Sequence, residues 1–199
     1  MSQPTPTDAA PRPLTARRLA IVGAVEAVAR GLPLAVYPLA QYRAWGDAAT
    51  VSTIYLAVGI LSLAMVLLVP QLTRRLPRRW THSLAVLLYL VSAGFGMVGG
   101  RMTSVALLCA AFATAISMVC YQNNVLDHVD KADLGKFETR RLFYAGVGWT
   151  AGPFIGVWLL GQWHGAPFVG VAVAAVVMLA LIWRFGMGST VVVPQQGRV

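Results

Sequence analysis

Charge is scarce in this chain. Only 12% of its 199 residues are Asp, Glu, Lys or Arg, about half of the roughly 25% usual for a soluble domain. A soluble fold so poor in charge cannot cover its surface, which excludes a compact water-soluble enzyme. Cysteine is rare as well. Cys109 and Cys120 fall inside one apolar stretch, so no disulfide framework is expected. The three histidines, His82, His128 and His164, are expected at separate helix ends, and no metal site is read from them. With no paired aspartates, zinc signature or serine–histidine pair in the apolar stretches, neither an enzyme nor a cofactor is expected.

What is present is apolar: 57% of the residues are hydrophobic, against about 45–50% in an average soluble domain. Six nearly uninterrupted apolar windows stand out, at about 18–40, 51–69, 82–100, 102–122, 142–162 and 167–185. The expected fold is all-α, a polytopic membrane protein with a six-helix transmembrane bundle over 15–186. Polar, proline-rich or glycine-containing tails at 1–14 and 187–199 are expected to be disordered and cytoplasmic. Arg17 and Arg18 precede an apolar run, as in a twin-arginine export signal. Glu26 and Arg30 interrupt that run and five more spans follow, so the first span is expected to be retained.

The net charge of +9 would suggest nucleic acid in a soluble protein. Its distribution points to a membrane surface instead. Arg12, Arg17 and Arg18, the arginines at 74, 75, 78 and 79, Lys131, Lys136, Arg140, Arg141, Arg184 and Arg198 fall on one side, with only Arg43 and Arg101 opposite. Basic short loops stay in the cytoplasm, so a multi-pass protein of the inner membrane with both termini cytoplasmic is expected. Trp80 and Trp183 fall at the expected inner boundary and Trp45 and Trp163 at the outer one, where amphipathic rings prefer the headgroup level.

Glu26 and Arg30 lie four residues apart within the first span. On a helix they share a face one turn apart and can pair. A charge at this depth costs roughly 2.5–3.5 kcal/mol, so both are candidates for a solute or proton pathway; the plainer alternative is a structural pair. Pro33 and Pro38 are expected to bend or loosen the same helix. In the fifth span Gly148, Gly152 and Gly156 form a stripe without side chains, with Pro153 beside the middle one, and another helix can approach it closely. Gly94, Gly96, Gly99 and Gly100 of the third span are the expected matching surface.

At these residues the chain resembles the major facilitator superfamily, specifically the amino-terminal six-helix half of such a transporter. Gly148-Trp-Thr-Ala-Gly152-Pro153-Phe-Ile-Gly156 is similar to the family's fifth-helix motif, gxxxGPxxGG, with Val157 in place of the last glycine. Pro70 to Arg79 occupies the loop where the family carries GxLaDRxGRkx, with Leu72, Arg75, Arg78 and Arg79 in register. Pro70 and Pro77 replace its glycines, and Arg74 its aspartate. The family's fourth-helix arginine is missing. The resemblance implies an MFS-like bundle and secondary transport of a small solute, with the first, second, fourth and fifth helices lining the path. It makes Glu26 the proton-coupling position, with Arg30 tuning it.

Gln122, Asn123 and Asn124 near the inner end of the fourth span are candidates for substrate contacts or for gating and helix capping. Asp127 and Glu138 are expected to pair with Arg140, Arg141 or the arginines of the 74–79 loop, either as a cytoplasmic gate or as incidental surface pairs. The expected partners are the lipid bilayer, a small solute, protons and a second bundle, supplied as a homodimer or a separate six-helix half. A non-transporting subunit or docking factor is the alternative. Met97, Met102, Cys109, Met118 and Cys120 are soft ligands that suggest copper or zinc uptake, but the two cysteines are expected about 16 Å apart along a helix axis and cannot share an ion. In a cysteine-free background, an impermeant maleimide added to intact cells is expected to label Arg43→Cys. Arg75→Cys is expected to react only after the membrane is opened.

Overall fold

The computed structural model describes residues 16–129 and 131–187. Of the tails expected at 1–14 and 187–199, only Met187 is among them, and it is buried; Arg12, Asp130 and Arg198 also lie outside the described residues. The described chain folds as seven helices, α1 (Ala16–Gly31), α2 (Val36–Trp45), α3 (Ala48–Arg75), α4 (Arg78–Val98), α5 (Met102–His128), α6 (Leu134–Gln162) and α7 (Ala166–Phe185). Taken together, α1 and α2 form one apolar segment, Arg17–Trp45, so six segments are long and apolar enough to cross a membrane.

The first segment is broken where Pro33 falls. Pro33 has no N–H to give, and Leu32 to Ala35 form a turn in which Leu34 N–H donates to the Gly31 carbonyl at 3.3 Å. Helix resumes when Tyr37 N–H donates to the Pro33 carbonyl at 3.0 Å. Pro38 does not add a second break. It occupies the first turn of α2, where a helix has no internal acceptor for its N–H groups. At the far end Gly46 closes α2 in the left-handed region, φ 71°, and Asp47 opens α3. The Asp47 carboxylate accepts from the Thr50 hydroxyl at 2.7 Å and from the N–H groups of Thr50 and Ala49. Those bonds, the hydroxyl first, hold its carboxyl below the usual carboxylate range.

Two of the expected loops are largely helix. The stretch 70–79 is carried by the end of α3 and the start of α4, and only Leu76 and Pro77 connect them. Likewise Asp127 and His128 finish α5, while Glu138, Arg140 and Arg141 lie in the first turns of α6. Charged residues end an apolar window but not a helix, because Lys, Arg and Glu are good helix formers wherever water can reach them.

In the bundle α4 packs against α5 and α7, α1 packs against α6 and α7, and α3 lies along α5. Tyr89, Tyr121, Phe168, Ile116, Met178 and Ile182 fill the centre. The glycine stripe of α6 meets α1, not the third span. A methyl group at Gly152 would lie 2.6 Å from the Gly31 carbonyl carbon, and one at Gly148 would lie 3.2 Å from that of Ala27; Gly156 faces the Leu32 carbonyl. Among the expected third-span glycines, Gly96 takes the ring of Phe168 and Gly99 the ring of His164, while Gly94 and Gly100 face open space. The broken end of the first span is thus seated backbone to backbone on α6. Gly152→Leu is expected to cost about 1–3 kcal/mol through overpacking, read as a lower unfolding temperature in detergent. Gly146→Leu, with open space around it, is expected to leave that temperature unchanged.

Candidate functional site

Glu26 follows Leu19 and Val22 on the inward face of α1, and only 6% of it is exposed. Its Oε1 atom has no hydrogen-bond partner. The Ser117 side chain on α5 faces the carboxyl, and Tyr89 of α4 with Cys120 and Tyr121 of α5 complete its titratable neighbours. A buried carboxyl with an open lone pair is costly in lipid. It lies inside the bundle on α1, which packs against α6 and α7 and touches α5.

Arg30 does not pair with Glu26. Among the described residues the ion pairs are Arg78–Asp127, Lys136–Asp133 and Arg141–Glu138. The Arg30 guanidinium lies 4.9 Å from the Trp149 ring centroid instead. The cause is the glycine contact: Gly148 against Ala27 brings the next residue, Trp149, within reach of Arg30 less than one turn on, and a guanidinium stacks well on an indole face. Arg30 still acts on Glu26 at longer range, and so does Arg141. Arg141 donates to Glu138 at 2.8 Å and lies over the Tyr121 ring, whose hydroxyl donates to the Leu19 carbonyl at 3.0 Å. The carboxyl is therefore flanked by two cations, each engaged with an aromatic ring.

His82 is the residue that sequence reasoning missed. It stands one turn inside α4, not at its first residue, is 1% exposed, and its Nε2 lies 3.3 Å from the Ser117 hydroxyl. The same two helices are joined by Tyr89 and Thr114 at 2.8 Å, and by Ser92, which donates to the Ala106 carbonyl at 2.7 Å and meets Tyr37 of α2 at 2.6 Å. Spacing could have revealed part of this seam: His82 and Tyr89 are seven residues apart, two turns on one face, as Thr114 and Ser117 are three apart. A serine–histidine contact therefore exists after all. It is not built as a hydrolytic triad, because the carboxyl faces the serine while the far imidazole nitrogen, Nδ1, has no partner.

No protein-family model, curated protein or solved structure matches this chain. Its chemistry is read from its own residues.

The other candidates separate into groups. Asn124 is buried and donates to the Cys120 carbonyl of its own helix at 2.8 Å, whereas Gln122 and Asn123 are half-buried beside it. Arg78 and Asp127 join the start of α4 to the end of α5. Arg79 lies 3.6 Å over the Trp183 ring and also donates to the Trp183 carbonyl, with Trp80 edge-on to the same indole. Arg74, Arg75 and Arg140 are exposed. At the opposite end Arg101 lies over Trp45, which donates to Ser104. Because the Arg78 and Asp127 side chains are 34% and 48% exposed, Asp127→Asn is expected to cost less than about 1 kcal/mol, measured by thermal unfolding in detergent.

Proposed function

We propose that this chain is a secondary transporter of the major facilitator type, or half of one, moving a small solute across the inner membrane in exchange for or together with protons. The observation that carries the reading is the Glu26 carboxyl, buried inside the bundle with one oxygen unpartnered. Taking up a proton neutralises a group that is costly to hold charged in this setting. Its two charge states then favour different arrangements of the helices around it, which is what coupling requires.

Two further features support movement. The turn at Leu32–Ala35 divides the first span, and the glycine contact lets α1 slide or rock on α6 with no side chains interlocked. A second bundle fits the outer helices. In α3 only Val58 and Val69 are buried, and in α6 Phe137, Leu160 and the three glycines, while Leu67, Phe143 and Phe154 are at least 70% exposed. A second copy, or a six-helix partner, against α3 and α6 would close the far wall of a path that one bundle lines on one side. The arginine-rich end of the bundle suits an anionic inner leaflet with both termini cytoplasmic.

The test uses proteoliposomes carrying a pH dye inside and a panel of cationic, zwitterionic and anionic small solutes. One class is expected to drive proton movement with the native chain, and Glu26→Gln is expected to reduce it by about 5–150-fold, the usual range of a coupling free energy. Equal proton movement in the variant removes Glu26 from coupling. A folded chain that moves no solute class is a docking subunit.

A further inference from the structure

The geometry points to His82 as a second proton-carrying group, one that exchanges a proton with Glu26 across the Ser117 hydroxyl. This rests on the proton-coupled reading of Glu26 and deepens it. His82 and Glu26 are both buried, they stand on different helices, and each turns one atom with no partner into the bundle, Nδ1 and Oε1. Between them Ser117 of α5 lies 3.3 Å from His82 Nε2 and faces the Glu26 carboxyl. A hydroxyl donates and accepts at once. One serine can therefore link an acid to a base that do not touch.

The transfer balances without any other reactant. With His82 neutral and its proton on Nδ1, Ser117 donates to Nε2 and accepts from protonated Glu26. The Glu26 O–H bond breaks as Ser117 gains that proton, and the original Ser117 O–H bond breaks as the Nε2–H bond forms. The products are a carboxylate on α1, an intact serine and an imidazolium on α4. The proton has moved from the middle of the first span to a residue one turn from Arg78, at the end where Arg78 meets Asp127. Other ionisable groups facing Glu26 are Arg30 on its own helix, Arg141 from α6, Tyr89 from α4, and Cys120 and Tyr121 from α5. Among the described residues Ser117's side-chain hydrogen bond is with His82, and none of these other groups bonds to it.

A purely structural histidine would hold Ser117 in place but would not titrate with Glu26. The full chain in lipid discs is titrated while the Glu26 carboxyl band is followed by infrared spectroscopy and the His82 ring nitrogens by NMR. Glu26→Gln identifies the carboxyl band. The expected result is that His82→Gln displaces the Glu26 midpoint by about one pH unit or more, the mark of two sites that titrate as a pair. Ser117→Ala, which removes a single oxygen and keeps the test open should the histidine variant fail to fold, is expected to alter the titration of both groups. Glu26 and His82 curves that stay the same in Ser117→Ala overturn the relay, as does an unmoved Glu26 midpoint in a folded His82→Gln. Proton-coupled flux that needs Glu26 but is unaffected by His82→Gln, with that midpoint unmoved, overturns the relay and leaves the transport reading standing. Paired titration in a chain that moves no solute does the reverse.

Discussion

Gly31, Gly148, Gly152 and Gly156 let α1 and α6 meet backbone to backbone, and the placement of the polar groups depends on that contact. With side chains at those positions the two helices would stand several ångströms further apart, and Trp149 would no longer reach Arg30. Arg141, on the same face of α6 two turns before Gly148, would leave Gly23 and Tyr121. Glu26 rides on the same helix, which packs against α6 and α7 and touches α5 more lightly. In lipid there is no hydrophobic drive between helices, so close packing of this kind and interhelical hydrogen bonds have to hold the bundle together.

The second source of cohesion is the seam between α4 and α5. His82, Tyr89 and Ser92 descend one face of α4 and meet Ser117, Thr114 and the Ala106 carbonyl. Interhelical bonds of this sort contribute on the order of 0.6 kcal/mol each in membranes, so three of them are modest as energy. Their larger effect is on register, since each polar group left unpaired in the bilayer would be costly. Glu26 and His82 are places where this polar interior stays open: Oε1 of one and Nδ1 of the other have no partner.

Much of the layout was legible because the bilayer imposes simple rules. Six apolar windows became six membrane-length segments, and aromatic residues stand at the ends where arginines gather, Trp183 under Arg79 and Trp45 under Arg101. Helix ends were less legible. A hydropathy window stops at the first charges, so the helical turns carrying Asp127, Glu138 and Arg141 read as loop. The glycine stripe was visible, but its partner was not, because a stripe announces close approach and not which helix approaches. Glu26 and Arg30 at one-turn spacing suggested an ion pair, and spacing within one helix cannot anticipate an indole delivered by another.

The amino-acid sequence by itself determined the solvent, the number of spans, the break at Pro33 and the inward carboxyl at position 26, because these follow from composition, from a missing N–H and from the cost of charge in lipid. Only the tertiary structure decided what that carboxyl meets. Ser117 lies 91 positions away along the chain and His82 lies 56 away, and no local pattern connects them to Glu26. They come together because α5 packs on α4 along a polar seam while α1, seated on α6 by its glycine contact, also touches α5. A site shared by three helices is a property of their packing, and packing is set by surfaces that a linear reading meets one at a time.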